Sequence, residues 1–495
     1  MGFILSIDQG TTGTTAVLIN DSNFMFVDKV NKEFPQIFPQ PGWVEHDLND
    51  IWATVQSTIS AVLKKNNLKG SDISAIGITN QRETTCAFSK DGIPLANAIV
   101  WQDRRTFDFC QSVKDKDNHV QEITGLPIDP YFSGTKMRWL LKNNDQVQAA
   151  ASANDLCLGT IDTFLLYKLT GNKNFATEAS NASRTLLMNL KTGKWDDQLT
   201  SLFEVEQKFL PEIKDSFGRF GVTSRLSFLP DGIIISGILG DQQSALFGQA
   251  GYSSGDIKCT YGTGAFMLLN TGEEIKRSKN GLLSTVAYQQ NGKLFYALEG
   301  SCYIAGAAVQ WLRDNCLFFK ESSEIETLAS KVSNLEEMKN ILFLPFFTGI
   351  GSPHWKTQAT GALIGLTRDT NQGHISRACL EGIALSINDL INAMKKDTGL
   401  AINELKVDGG AVANDLLMNI QATLSRLNII RPQVIETTAY GAALAAAIGI
   451  GKITFQEIDK LWNQDKVFRP GQDSKEDDYF LIKTKQWNKA IEKMY

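Results

Sequence analysis

Apolar residues in this chain fall in short runs that stop at polar, glycine-rich turns, a pattern that predicts buried strands delivering loops to a common site. Residues 3–7 and 15–19 are two such runs, joined across Asp8-Gln9-Gly10-Thr11-Thr12-Gly13, and they read as a hairpin with a ligand-binding tip. Over residues 49–64 the period changes, and Ile51, Val55, Ile59 and Val62 fall on one helical face. Residues 73–79, 98–100 and 232–239 are strand-like again. They end at Asn80-Gln81-Arg82-Glu83-Thr84, Trp101-Gln102-Asp103-Arg104-Arg105 and Gly240-Asp241-Gln242-Gln243. The second half restarts the scheme: residues 256–261 run into Gly262-Thr263-Gly264, and a strand over 266–269 follows. A helix is predicted over 300–314 with a small face at Ala305, Gly306 and Ala307. Val407 leads through Asp408-Gly409-Gly410 into a helix over 414–425, and residues 439–449 form an alanine-rich stretch in which Gly441 permits close packing. The pattern predicts an α/β protein of two halves, 1–250 and 251–495, with the polar tract 471–478 opening a tail.

Length supports more than one domain, since 495 residues is several times a typical one. The formal charge of −5, with no long basic run, points away from nucleic acid or a membrane surface as partner. Phosphate would then be met by backbone N–H groups, a metal and local side chains. The seven cysteines show no Cys-x-x-Cys spacing, which argues against a zinc site or a disulfide framework and for a reducing compartment. No run is long enough for a membrane span. The start of the chain matches a loose acylation pattern, but residues 3–7 are needed as a core strand.

Three glycine-rich turns, at Gly10–Gly13, Gly262–Gly264 and Gly409–Gly410, offer bare N–H groups to phosphate. One such turn is ordinary chain chemistry; three across two halves suggest a nucleotide held between them. Asp8 alone reads as an Asx-turn residue, and beside three phosphate turns as part of a site. Asp241, where a strand gives way to a helix, can cap that helix or take a proton from a substrate hydroxyl. Arg82 and Glu83 read either as a solvated pair or as a donor fork beside an acceptor, and Trp101 as core or as a pocket wall. Gly306 and Gln310 share a helix face, and glycine there also suits tight helix packing.

Longer motifs add a resemblance. Tyr131-Phe132-Ser133-Gly134-Thr135-Lys136-Met137-Arg138-Trp139-Leu140, Gly361-Ala362-Leu363-Ile364-Gly365-Leu366 and His374-Ile375-Ser376-Arg377-Ala378 resemble segments of the FGGY carbohydrate kinases, members of the actin-like superfamily. Pro41-Gly42-Trp43-Val44-Glu45-His46, Asn80-Gln81-Arg82-Glu83-Thr84 and Val100-Trp101-Gln102-Asp103-Arg104-Arg105 resemble most the glycerol kinase branch of that family. The resemblance implies two actin-like (ribonuclease H-like) domains with ATP and substrate in the cleft between them. It implies transfer of the γ-phosphoryl group to a terminal hydroxyl of glycerol, with Asp241 as general base. Arg82, Glu83, Trp101, Tyr131, Asp241, Gln242 and Phe266 would hold the acceptor. Gly10, Thr11, Thr12, Gly13, Gly262, Thr263 and Gly264 would meet the phosphates, and Gly306, Gln310, Gly410 and Asn414 the adenosine. Mg²⁺ would lie near Asp8 and Asp241, reached through water. A cytoplasmic homo-oligomer, dimer or tetramer, is implied as well.

Departures accompany the resemblance. Thr15 stands where this branch usually has arginine. Val222-Thr223-Ser224-Arg225-Leu226-Ser227-Phe228 does not match the fructose 1,6-bisphosphate loop of regulated relatives, and no histidine lies between 200 and 250 for activation by phosphorylation. The alternatives are a kinase of the same fold for a longer polyol or a ketose, and a non-catalytic ATP-dependent binding protein.

Overall fold

The computed structural model describes residues 2–356 and 358–495. Along the first half run β1 (Phe3–Gln9), β2 (Gly13–Asn20), β3 (Phe26–Glu33), α1 (Leu48–Lys65), β4 (Ile73–Asn80), β5 (Phe217–Val222), β6 (Ile234–Gly240) and α2 (Asp241–Gly248). The strands form one six-stranded sheet in the order β5-β6-β4-β1-β2-β3. β1 pairs antiparallel with β2, while β4 is parallel to β1 and β6 parallel to β4. Parallel central strands are covered on both faces, and the side chains of β1 and β4 are accordingly almost all buried. α1 begins at Asp47, whose side chain accepts from the Asn49 N–H and caps the helix.

The second half repeats the plan with β7 (Ile257–Tyr261), β8 (Ala265–Gly272), β9 (Leu283–Gln290), β10 (Lys293–Cys302), α3 (Gly306–Asp314), α4 (Gln372–Thr398), β11 (Glu404–Asp408), α5 (Asp415–Ser425), β12 (Asn428–Pro432), α6 (Thr437–Gly449), β13 (Gln464–Phe468) and α7 (Ser474–Met494). Its sheet runs β9-β10-β8-β7-β11-β12-β13, with β7–β8 antiparallel and β7–β11–β12 parallel, as in the first sheet. Two corrections follow. The helix expected over 300–314 begins only at Gly306, because residues up to Cys302 pair with β8, Ser301 lying opposite Phe266. The expected tail contains a 21-residue helix, α7, whose Tyr479, Phe480, Trp487 and Ile491 are buried.

α6 does not stay with the half that precedes it. Its buried alanines pack with Ile4, Val17, Ala75 and Leu239 of the first sheet in one apolar cluster. Glycine makes the approach possible: a Cβ on Gly77 would lie 2.0 Å from the Ala442 carbonyl, and one on Gly237 2.3 Å from the Ala446 nitrogen. No helix among the described residues is long and apolar enough to cross a membrane, and the seven cysteines are free.

Candidate active site

The polar clusters predicted at strand ends meet across the two halves, where Arg82 reaches Glu299 and Trp101 lies beside Phe266. In the first turn, between β1 and β2, the Gly10 N–H donates to the Gly13 carbonyl at 2.9 Å. The second turn, between β7 and β8, is tied to the start of α3: Gly306 N–H donates to the Gly262 carbonyl at 2.9 Å and Ala305 N–H to that of Thr263 at 2.8 Å. The third follows β11, where Gly409 takes φ +91° and a Cβ would sit 2.6 Å from the Tyr261 carbonyl, a position closed to any side chain. A cavity of about 460 Å³ lies beside the second and third turns, lined by Gly262, Thr263, Gly306, Gln310, Gly410 and Asn414, a size that suits a small-molecule ligand. Gly306 also packs tightly, since its Cβ would lie 2.7 Å from the Gly262 carbonyl. Asn414 has a second duty, capping α5 through the Leu417 N–H. Gly264 shapes its turn by approach to the Cys302 carbonyl, 2.5 Å from a Cβ there.

On the other side of the turns, Arg82 and Glu83 are 3% and 2% exposed, which rules out a solvated surface pair. Nor is the Arg82 fork free. Its two terminal nitrogens donate to Glu299 at 2.5 and 3.0 Å, while its Nε lies 3.1 Å from Asp241 Oδ1. Arg184 donates from Nε to Glu83 at 2.5 Å and from Nη2 to the same Glu299 at 3.0 Å. Glu299 belongs to the second sheet and the two arginines to the first half, so one carboxylate ties the two together. The paired guanidinium groups hold the Glu299 carboxyl down at about 2 against the opposing effect of its burial. Glu83 has φ +59° and is bridged by a Thr84 N–H to Arg82 carbonyl bond of 2.7 Å, a tight turn that is costly for a residue with a side chain. The Arg184 pair and a Ser133 hydroxyl on the Glu83 carbonyl keep that turn in place.

Trp101 stands at the centre of the aromatic group. Its ring lies 5.7 Å from Tyr131 and 6.4 Å from Phe266, both edge to face, and its indole N–H donates to the Thr11 hydroxyl at 3.0 Å. That bond links the ring group to the first glycine-rich turn. The turn has further support: Gln36 donates to the Thr11 carbonyl, and Gln81 to Gln9 and to the Gly10 carbonyl. Fully buried His46 bridges these glutamines, through Gln36 at 2.7 Å and Gln81 at 3.3 Å. Burial pushes the His46 ring down to about 4. Between about pH 6.5 and about 4 the unfolded chain binds a proton here that the native one refuses, so this residue's contribution is present above that window and lost as pH falls through it, about 3 kcal/mol in all. Thermal midpoints of the wild type and His46→Gln measured from pH 7 to 4 should therefore converge as pH falls; parallel curves would assign acid lability to other groups.

Asp241 opens α2. Both protein donors that reach it among the described residues, Arg82 Nε and the Gln242 N–H at 2.7 Å, go to Oδ1, which leaves Oδ2 for a ligand. Burial pushes its carboxyl up, opposed by Arg82 and Lys258. Asp8 is pushed up to about 7 by burial and by the carboxylates of Asp241 and Glu436. Repelling carboxylates beside glycine-rich turns are what a cation would relieve. Among the described residues no group of three or more His, Cys, Asp or Glu could cage a metal; the two carboxylates of Asp8 and Asp241 suit a cation that keeps most of its water, as Mg²⁺ does. Thr15 lies opposite Asp8 in the sheet, and its hydroxyl accepts from Asn31 at 2.8 Å.

Sequence reasoning missed Glu299, Arg184 and Lys258. Two had a signal: Glu299 and Lys258 are lone charges in apolar strands, Ala297-Leu298-Glu299-Gly300 and Ile257-Lys258-Cys259, where a buried charge needs a reason.

Comparison with known proteins agrees with this architecture. The model of the FGGY family of carbohydrate kinases, N-terminal domain, matches residues 3–248, and that of the C-terminal domain matches residues 257–450. The chain is 47% identical to a glycerol kinase of Myxococcus xanthus over 497 residues, covering 99% of each chain. It is 45% identical to a glycerol kinase of Bacillus subtilis, covering 99% of this chain and 98% of the relative. The crystal structure of Plasmodium falciparum glycerol kinase with ADP superposes with a TM-score of 0.91 at 35% identity, over 100% of this chain and 98% of that one. With both halves matched in order and two turn-bearing sheets facing a common site, the chain belongs to the FGGY family of carbohydrate kinases.

Proposed function

We propose that the protein is an ATP-dependent glycerol kinase acting in glycerol catabolism, with sn-glycerol 3-phosphate as product. The observation that carries the acceptor assignment is the ring group of Trp101, Tyr131 and Phe266 beside the buried Arg82–Glu83 pair, a small polar site with aromatic walls. Relatives of matching length that are glycerol kinases support the same reading.

In this reading residues 1–250 bind the acceptor and supply the first phosphate turn, and residues 251–495 bind the nucleotide. The cavity lined by Gly306, Gln310, Gly410 and Asn414 takes the adenosine side of ATP. Gly10, Thr11, Thr12, Gly13, Gly262, Thr263 and Gly264 shape the turns that receive the phosphates. Arg82, Glu83 and Gln242 orient the glycerol hydroxyls, Tyr131 adds its own, and Trp101 and Phe266 cover the carbon edge. The acceptor oxygen forms a bond to the γ-phosphorus, the bond to the β–γ bridging oxygen breaks, and ADP leaves. The hydroxyl proton goes to Asp241 Oδ2, the oxygen left without a protein donor. Mg²⁺, when bound near Asp8 and Asp241, neutralises phosphate charge. Seven free thiols and the absence of disulfides go with a cytoplasmic location, and a homo-oligomer, dimer or tetramer, goes with the family resemblance.

The test is ADP release with Mg²⁺-ATP across glycerol, dihydroxyacetone, erythritol, xylitol, xylulose and gluconate. We expect kcat/KM for glycerol to exceed that for each longer acceptor by at least about 10²-fold, since each extra hydroxymethyl must displace an aromatic wall. Preference for a longer acceptor would sink the pocket reading and keep the kinase. ATP binding without turnover on any acceptor would favour a binding protein.

A further inference from the structure

Lys258 is a fully buried cation in the apolar strand β7, and the reaction described above does not use it. Its ammonium donates to Gln242 Oε1 at 2.5 Å and to Thr260 Oγ1 at 2.8 Å. Neither partner is a carboxylate, so the charge is held by two neutral oxygens. Burial pushes the ammonium pKa down, and Asp408 and Asp241 push it back up through space. A chain that needed only to fill this volume would be served by Met or Leu at less cost, because a buried ammonium without a directly bonded counter-ion is expensive to keep.

The two oxygens belong to opposite sides of the reaction. Gln242 follows Asp241 at the start of α2, on the acceptor side. Thr260 lies two residues before Gly262, on the strand that leads into the second phosphate turn. An amide whose carbonyl accepts from Lys258 has its two N–H donors turned the other way. With a carbonyl and an amino group of nearly the same shape, Gln242 could otherwise flip; a donor with no acceptor capacity fixes which end faces inward.

We propose that Lys258 is a positioning residue for phosphoryl transfer, which locks the Gln242 amide with its N–H donors toward the acceptor hydroxyl and ties that orientation to the second phosphate turn. The proposal rests on the reading of Gln242 as an acceptor-lining residue. A lysine that served only packing would act on stability and on both substrates alike; one that acts through Gln242 loses its effect when Gln242 is gone.

The experiment is a double-mutant cycle of Lys258→Met and Gln242→Met, run on whichever acceptor the wild type turns over, with KM for ATP and for the acceptor measured separately. In the wild-type background Lys258→Met should lower kcat/KM for the acceptor by about 10²-fold and change KM for ATP by less than about threefold. In the Gln242→Met background the same substitution should cost less than about threefold. Lys258→Arg should restore at least about tenfold of the loss, because it keeps charged donors at the site. Equal costs in the two backgrounds, or a loss shared by both substrates, would overturn the proposal. Folding is checked by the thermal midpoint and by ADP binding. If Lys258→Met does not fold, Lys258→Gln takes its place in the cycle under the same additivity criterion. A wild type that prefers another acceptor changes the function reading and leaves this test intact; one that turns over no acceptor overturns both.

Discussion

Asp241→Asn is expected to lower kcat by about 10²–10⁴-fold, the range for loss of a positioned general base, with ADP affinity nearly unchanged. The substitution keeps shape, and Oδ1 can still face Arg82 Nε and the Gln242 N–H. What goes is the basic Oδ2. The cavity proposed for the nucleotide is lined by other residues and should not respond. A second effect has the opposite sign. Asp8 is pushed up to about 7 in part by the Asp241 charge, so removing that charge should raise the thermal midpoint of the free protein, as happens when a site built for function gives up a repulsion. Single-turnover rates with and without the substitution, together with midpoints in the absence of nucleotide, check both. A loss below about tenfold would show that the acceptor proton leaves by another route.

The second large effect is expected at Glu299. Glu299→Ala leaves the Arg82 fork and Arg184 Nη2 buried without their carboxylate, a change that costs about 3–5 kcal/mol in buried ion pairs. The thermal midpoint should fall by several degrees at least. Acceptor KM should rise at least about tenfold, because Arg82 loses the partner that sets its orientation, while KM for ATP stays within about threefold. Glu299→Gln should lie between, since it keeps one acceptor oxygen and sets an NH₂ group against a guanidinium. Equal rises in both KM values would show a general collapse of the cleft and no specific role at the acceptor.

What could be read from the sequence was local. A short apolar run that ends in Asp-Gly or Gly-Thr shows its strand and its turn within ten residues, and for this reason the turns after β1, β7 and β11 and the carboxylate at Asp241 stood out. Residue pairing was hidden. Arg82 and Glu83 suggested each other by adjacency, yet each takes a different partner, because Glu299 arrives through the register of β10 on β8, where it lies opposite Leu268. The same register cuts back the start of the helix expected over 300–314. Ala and Gly favour no strand by themselves, and only pairing with β8 holds residues up to Cys302 extended. α7 was missed for another reason. Tyr479, Lys483, Trp487 and Ile491 recur every four residues on one buried face, but the lysine among them disguised the stripe. Lys483 is held there by Glu381 of α4.

The placement of α6 bears on how the molecule is made. The ribosome releases the first sheet early, while the helix that covers Ile4, Val17, Ala75 and Leu239 lies at Thr437–Gly449. Until that segment emerges, the grooves at Gly77 and Gly237 have no occupant, since the backbone that fills them belongs to Ala442 and Ala446. From the end of β6 at Gly240 until Thr437–Gly449 has been made, the nascent first half therefore carries a bare apolar face, a state prone to aggregation. Its folding is completed only once α6 has emerged, so the first sheet waits on a helix encoded in the second half.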